Sequence, residues 1–265
     1  MSFATFGTSS LDEYLAKATN PEALWFFLHI PKTAGTSMSS ELDRLRPPYV
    51  NISVDYERSD VSHDVAVKQA VAQFAATQIG SARAASGHIP LTVLDEVVGQ
   101  RPGLKLFTLL RDPVARVVSD YTYQTTPAHP PFEAFKKRFP SIEDYVLAPT
   151  EQNKMVSFLS PGSNGQSGQS FDQIYKQIEQ RFTFIGVTEL YDMSFNIITR
   201  LMGKPAHSEE RRRATSAEAK ARVTLSPSLV TLIRQANNLD QQLYDRVAGA
   251  LLPKYAAWQA LEARG

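Results

Sequence analysis

The stretch LWFFLHIPKTAGTS, Leu24 to Ser37, sets a nearly continuous apolar run directly against a short, hydroxyl-rich turn. A run such as Leu24 to Ile30 is expected of a strand buried on both faces, as in a parallel sheet. Beyond the turn, Met38, Leu42 and Leu45 recur at i, i+4 and i+7, which is one face of a helix. A turn that ends a strand and opens a helix offers unpaired backbone N–H groups and a positive dipole end, a ready anion site. Gly35 permits close backbone approach, Thr33, Thr36 and Ser37 add hydroxyls, and Lys32 adds a point charge. An incidental lysine on a well-capped turn would produce the same letters. The nucleotide-triphosphate loop G-x-x-x-x-G-K-[ST] places its lysine after the glycines, whereas Lys32 precedes the one glycine here. So short a loop suits a single anionic group, such as a 5′-phosphosulfate, rather than a β/γ-phosphate pair.

The rest of the chain alternates in the same way. Ser10 and Glu13 form a capping box for a helix near Leu11 to Lys17. Val67, Val71 and Phe74 repeat the helical spacing, with Asp64 as N-cap and Gly80 as stop. Leu104 to Leu110 is a second buried strand, followed by Arg111, then Asp112 as cap and Pro113 in the first helical position. Thr183 to Val187 is a third strand, and Leu190 to Met202 a helix closed by Gly203. One long helix from Ser226 and Pro227 carries Leu229, Leu232, Ile233, Ala236, Leu239 and Leu243 on a single stripe. The expected fold is α/β: one domain over residues 1–265, with a central, mostly parallel sheet flanked by helices and a P-loop-like nucleotide-binding core. Thr125 to Pro131 and Ser160 to Ser170 read as loops, either ordinary surface connections or a substrate-facing lid.

Composition narrows the function. The chain has 28 basic and 27 acidic side chains, so no global basic field marks a nucleic-acid binder, and an anion must be held by local geometry. Without cysteine there are no disulfides, thiol nucleophiles or thiolate metal sites. No basic-then-apolar leader opens the sequence, and no apolar run approaches a membrane span, so a cytoplasmic protein is expected.

Three motifs in order carry a resemblance. P-K-T-A-G-T-S after a strand resembles the 5′-phosphosulfate loop of sulfotransferases, in the branch that contains the heparan sulfate 2-O-sulfotransferases. The second motif of that family is a strand ending in R-D-P, with a serine eight residues past the arginine; LLRDPVARVVSDYTY supplies Arg111 and Ser119 at that spacing. Gly87-His88 resembles the family's G-H step between the two. FIGVTELYDMSFNIITRLMG and NLDQQLYDRVAGAL are similar to later segments, so the likeness spans a core of about 24–251.

The resemblance implies transfer of a sulfuryl group from 3′-phosphoadenosine 5′-phosphosulfate (PAPS), with no metal, to a hydroxyl of a carbohydrate or small molecule, and a carbohydrate rather than a protein. It implies that Lys32, Thr33, Ala34, Gly35, Thr36 and Ser37 hold the 5′-phosphosulfate, and that Arg111 and Ser119 hold the 3′-phosphate. Lys32 would meet charge on the departing bridging oxygen, and His88 would be the general base. A planar guanidinium at a strand end suits a terminal phosphate, since it can grip two oxygens at once. Read individually, Arg111 could instead be a structural ion pair, Ser119 an exposed helix serine, and His88 a loop histidine satisfied by backbone. The Arg211, Arg212, Arg213 run is either solvated surface or a reach toward an anion. Glu151 to Ser160 only loosely echoes an acceptor-side segment. Two other classes stay open: a small P-loop-type kinase, which would need magnesium, and a catalytically silent nucleotide- or glycan-binding module. The acceptor is not legible.

Overall fold

A computed structural model describes residues 1–54, 61–101, 103–127, 129, 131–160, 168–209 and 223–264. The Arg211–Arg213 run and most of the Ser160–Ser170 stretch lie outside the described residues. Five strands, β1 (Leu24–Leu28), β2 (Tyr49–Ile52), β3 (Ala84–Gly87), β4 (Leu104–Leu110) and β5 (Phe184–Val187), form one all-parallel sheet in the order β2-β3-β1-β4-β5. The α/β fold with a helix-flanked parallel sheet is therefore as expected.

Helices α1 (Phe3–Thr8) and α2 (Leu11–Ala18) precede the sheet, and Ser10 and Glu13 make the expected capping box. The crossovers run through α3 (Gly35–Leu45), α4 (His63–Thr77) and α5 (Leu91–Val97). From β4 to β5 the chain passes through α6 (Pro113–Gln124), α7 (Phe132–Arg138), α8 (Ile142–Leu147), α9 (Lys154–Leu159) and α10 (Phe171–Arg181). Helix α11 (Tyr191–Leu201) follows β5, and α12 (Pro227–Ala236), α13 (Asn238–Leu251) and α14 (Tyr255–Glu262) complete the described chain. Among the described residues no helix is long and apolar enough to cross a membrane.

Volume complementarity explains the centre of the sheet. Strand β1 contributes Trp25, Phe26 and Phe27, all fully buried, and its parallel partner β3 sets Ala84, Ala85 and Ser86 opposite them. On the other side Phe27 stacks on Phe107 of β4, ring centroids 5.1 Å apart. Large against small matches volumes across the layer, as close packing requires. Gly87 continues the theme, because a Cβ there would stand 2.7 Å from the carbonyl oxygen of Ile52 in β2.

Several local expectations are corrected. Three strands were legible, but β2 and β3 complete a five-stranded sheet. Helix α4 is capped by Ser62, whose hydroxyl accepts from Val65 N–H, so Asp64 lies inside the first turn, and the helix ends at Thr77, before Gly80. Gly87 is a buried residue that ends β3 directly before His88. The single long C-terminal helix is two, broken at Asn237. The Asn237 side chain donates to the Ile233 carbonyl and accepts from the Asn153 N–H at 3.0 Å, and that long-range bond fixes the bend.

The strand order places a switch point at β1. The chain leaves β1 toward β2 and leaves β4 toward β5, in opposite directions across the sheet. A crevice opens where such exits diverge, at the carboxyl ends of the strands. Lys32 follows β1, Arg111 follows β4 and His88 follows β3, so all three arrive at this edge.

Candidate functional site

The loop after β1 holds two non-glycine residues in the left-handed region, Lys32 at φ 70° and Ala34 at φ 62°. Each such residue carries a backbone cost of order 1–3 kcal/mol that surrounding structure must offset. Thr33, fully buried, closes the turn by donating its hydroxyl to the Ile30 carbonyl at 2.9 Å. Its side chain thus builds the loop. Ala34 is the N-cap of α3 and offers no side-chain acceptor, so the first-turn N–H groups of Gly35, Thr36 and Ser37 keep their donor capacity. Ser37 is buried and Thr36 exposed.

Gly35 has a specific neighbour. A Cβ on it would fall 1.5 Å from Nε2 of His29. The His29 ring occupies the space that any other residue's side chain would need. That ring also lies against His88, centroids 3.9 Å apart. The His29 backbone N–H donates to the Gly87 carbonyl at 3.0 Å, extending the β1–β3 ladder past the strands. Nδ1 of His88 lies 2.9 Å from the His29 carbonyl oxygen. A carbonyl only accepts, so Nδ1 carries the proton and the neutral ring keeps its lone pair on Nε2. Burial lowers the pKa of His88, an effect the His29 carbonyl partly opposes. Burial, with help from His88 and Lys32, holds His29 well below the usual imidazole range. Both rings are neutral near pH 7.

Gly35→Ala is therefore expected to displace His29. Overpacking of this kind costs about 1–3 kcal/mol, and Tm should fall by roughly 2–4 °C for each of those in a chain of this size. Thermal unfolding followed by circular dichroism checks it. A variant with the parent Tm would mean that His29 moves aside freely.

On the other side of β1, Arg111 donates from a guanidinium N–H to the Lys32 carbonyl at 3.1 Å. Burial lowers the Arg111 pKa, while Glu189 and Asp112 pull it back up. The Lys32 ammonium sits 4.0 Å from the centroid of the Tyr123 ring, which α6 presents from the β4 side. Burial lowers the Lys32 pKa, Asp120 opposes that, and Arg111 adds to it. Asp112 caps α6 through Ala115 N–H, as its place before Pro113 predicts, and its own N–H donates to Glu189 after β5. The exits of β3, β1, β4 and β5 are thus laced in sheet order by His88, Arg111 and Asp112.

Ser119 lies on α6 as expected, but it is buried at 7% exposure, and so are its neighbours Arg116 and Asp120. Both faces of α6 are covered. With it sits a charged cluster that α6 shares with distant residues. Asp120 accepts from Arg116 at 3.2 Å, Tyr145 at 2.8 Å, Lys154 at 3.3 Å and Gln124 at 3.0 Å. Burial alone would raise the Asp120 pKa, but Lys154 and Arg116 bring it below the ordinary carboxylate value. Lys154, within the segment that loosely echoes an acceptor-side motif, thus turns inward to a structural partner. Among the described residues no group of three or more His, Asp or Glu is placed to hold a metal ion.

No family model matches this chain, and no curated protein does. Among solved structures it is similar to mouse sulfotransferase SULT7A1 complexed with PAP, at 15% identity and a TM-score of 0.40, over 88% of this chain and 71% of that one. So distant a likeness places no site residue, and the chemistry rests on the geometry of the crevice itself.

Proposed function

We propose that the protein is a sulfotransferase of the heparan sulfate 2-O-sulfotransferase-like branch, moving a sulfuryl group from PAPS to an acceptor hydroxyl. The observation that carries this is a convergence at the switch point. An α3 N-terminus without a side-chain cap, Lys32 and Arg111 meet at the carboxyl edge of the sheet, beside an imidazole whose tautomer leaves Nε2 as a base. Anion donors on one side of β1 and a proton acceptor on the other suit group transfer to a hydroxyl.

In this reading the N–H groups of Gly35, Thr36 and Ser37 and the Lys32 ammonium hold the 5′-phosphosulfate. Arg111 and Ser119 face the 3′-phosphate. His88 Nε2 takes the proton of the acceptor hydroxyl, the acceptor oxygen bonds to sulfur, and the bond from sulfur to the bridging oxygen breaks. Adenosine 3′,5′-bisphosphate leaves, with Lys32 offsetting the charge on the released oxygen. Positioning and charge stabilisation supply most of the acceleration in transfers of this type.

Calorimetric titration tests the proposal. Adenosine 3′,5′-bisphosphate is expected to bind without magnesium and more tightly than adenosine 5′-monophosphate. A charge-assisted hydrogen-bonded contact contributes about 1.5–3 kcal/mol, so Arg111→Ala should weaken the bisphosphate about 10–150-fold and the monophosphate less, through the lost bond to the Lys32 carbonyl alone. Equal affinity of the parent protein for both nucleotides would remove Arg111 from the 3′-phosphate. Tight binding of magnesium-ATP instead would mean a kinase.

A further inference from the structure

A cavity of about 250 Å³ opens beside His88, on the side of β1 away from Arg111. Taking the sulfuryl-transfer reading as its basis, we propose that this cavity is the acceptor pocket and that it admits a small uncharged alcohol or phenol, not an anionic polysaccharide.

Position comes first. The cavity is lined by both imidazoles and by Thr36, in the first turn of α3. The helix turn that offers its N–H groups to the donor anion therefore forms one wall of the cavity. An acceptor hydroxyl lodged there meets His88 and the donor at a common boundary.

Lining decides the class. Ile52, Val54, Val67 and Ile89 give the cavity an apolar wall. Besides the imidazoles, its polar groups are hydroxyls and an amide, from Thr36, Ser39, Ser53 and Asn51. Ser39 Oγ lies 3.0 Å from Ser86 Oγ, which lies 2.6 Å from the Tyr49 hydroxyl, a neutral chain running toward the sheet. Among the described residues that line it, none carries a carboxylate, ammonium or guanidinium, and the two imidazoles are neutral. None of the described lining residues offers a cation to a sulfated or uronate-bearing acceptor, whose charges would lose hydration there at a cost. The volume falls just below the roughly 300–1,000 Å³ common for drug-sized ligands, so one ring or a short alkyl chain fills it.

The test follows bisphosphate formation from PAPS by the full chain, with 4-ethylphenol or a heparan sulfate tetrasaccharide as acceptor. The phenol is expected to give a kcat/KM at least tenfold higher. Ala70 lines the cavity from α4 and is half-buried. Ala70→Phe should raise the phenol KM at least tenfold and leave the Kd for adenosine 3′,5′-bisphosphate unchanged, which also reports that the variant folds. If Ala70→Phe does not fold, Ala70→Leu should give a smaller shift in the same direction. Saturation-transfer NMR of 4-ethylphenol on the protein–bisphosphate complex reads binding without turnover, and its signal should vanish in the filled variant. Preference for the tetrasaccharide, an unchanged KM in the filled variant, or no phenol signal on the parent complex would each overturn the acceptor assignment while leaving bisphosphate binding in place. Failure of the parent protein to bind the bisphosphate would instead remove the sulfotransferase reading, and the acceptor pocket with it.

Discussion

Lys32→Ala is expected to lower kcat by about 10²–10³-fold, the loss typical of removing one group aimed at developing charge. The substitution is unusually clean. Lys32 stands at φ 70°, and alanine meets the same left-handed penalty as lysine, so the loop's strain is unchanged and only the ammonium is lost. The Lys32 carbonyl, which accepts from Arg111, belongs to the backbone and survives. Donor affinity should fall as well, because a half-buried cation beside the α3 N-terminus is removed from the 5′-side of the nucleotide. The Tyr123 ring, relieved of the ammonium at 4.0 Å, has no compensating charge to offer. Single-turnover rates with PAPS separate the two losses. An intact chemical step with weakened donor binding would reduce Lys32 to a binding residue and vacate its role at the leaving oxygen.

How much of this was legible depends on how local the cause is. Strands β1, β4 and β5 announce themselves as apolar runs because both of their faces are covered. The Asp112–Pro113 start of α6 is equally local, a cap and a first-position proline. Strand β3 is hidden for a physical reason: packed against Trp25, Phe26 and Phe27, it has to be small, and Ala-Ala-Ser-Gly carries no apolar signal. The break at Asn237 was masked because Leu239 and Leu243 keep the apolar stripe running, while the bond that bends the chain comes from Asn153. In the site, Lys32, Arg111 and His88 could be found because each follows a strand. His29 could not be separated from an ordinary strand-end histidine. Its role depends on sheet register, which brings its carbonyl to His88 and its ring into the place of a Gly35 side chain. A histidine ending a strand six residues before the turn's one glycine was the available signal. In the Asp120 cluster only Arg116 and Gln124, each four positions away on α6, were within reach of sequence spacing; Tyr145 and Lys154 lie 25 and 34 positions away.

If His88 is the base of the proposed transfer, pH and substitution expose it. His88→Ala should lower kcat by about 10²–10⁴-fold, the usual contribution of a positioned general base, with the Kd for adenosine 3′,5′-bisphosphate nearly unchanged. In the sulfotransferase reading the donor is held by backbone N–H groups of α3, Lys32 and Arg111, and not by the His88 ring. The base acts in its neutral form, and burial lowers its pKa below the ordinary value. The acid limb of kcat/KM for the donor, which reports the free enzyme, should therefore lie below about pH 6.5, the unperturbed imidazole value. Protonation on that limb also sets a charge beside Lys32 and against the His29 ring, so the same burial that depresses the pKa keeps the base ready at neutral pH. In His88→Ala the limb should disappear, and added imidazole should restore part of the rate through the space the side chain leaves. His29 cannot substitute, since its Nε2 is the atom pressed against Gly35. Persistence of the acid limb in His88→Ala would pass the base assignment to another group, and a limb above pH 6.5 in the parent protein would contradict a buried, neutral His88.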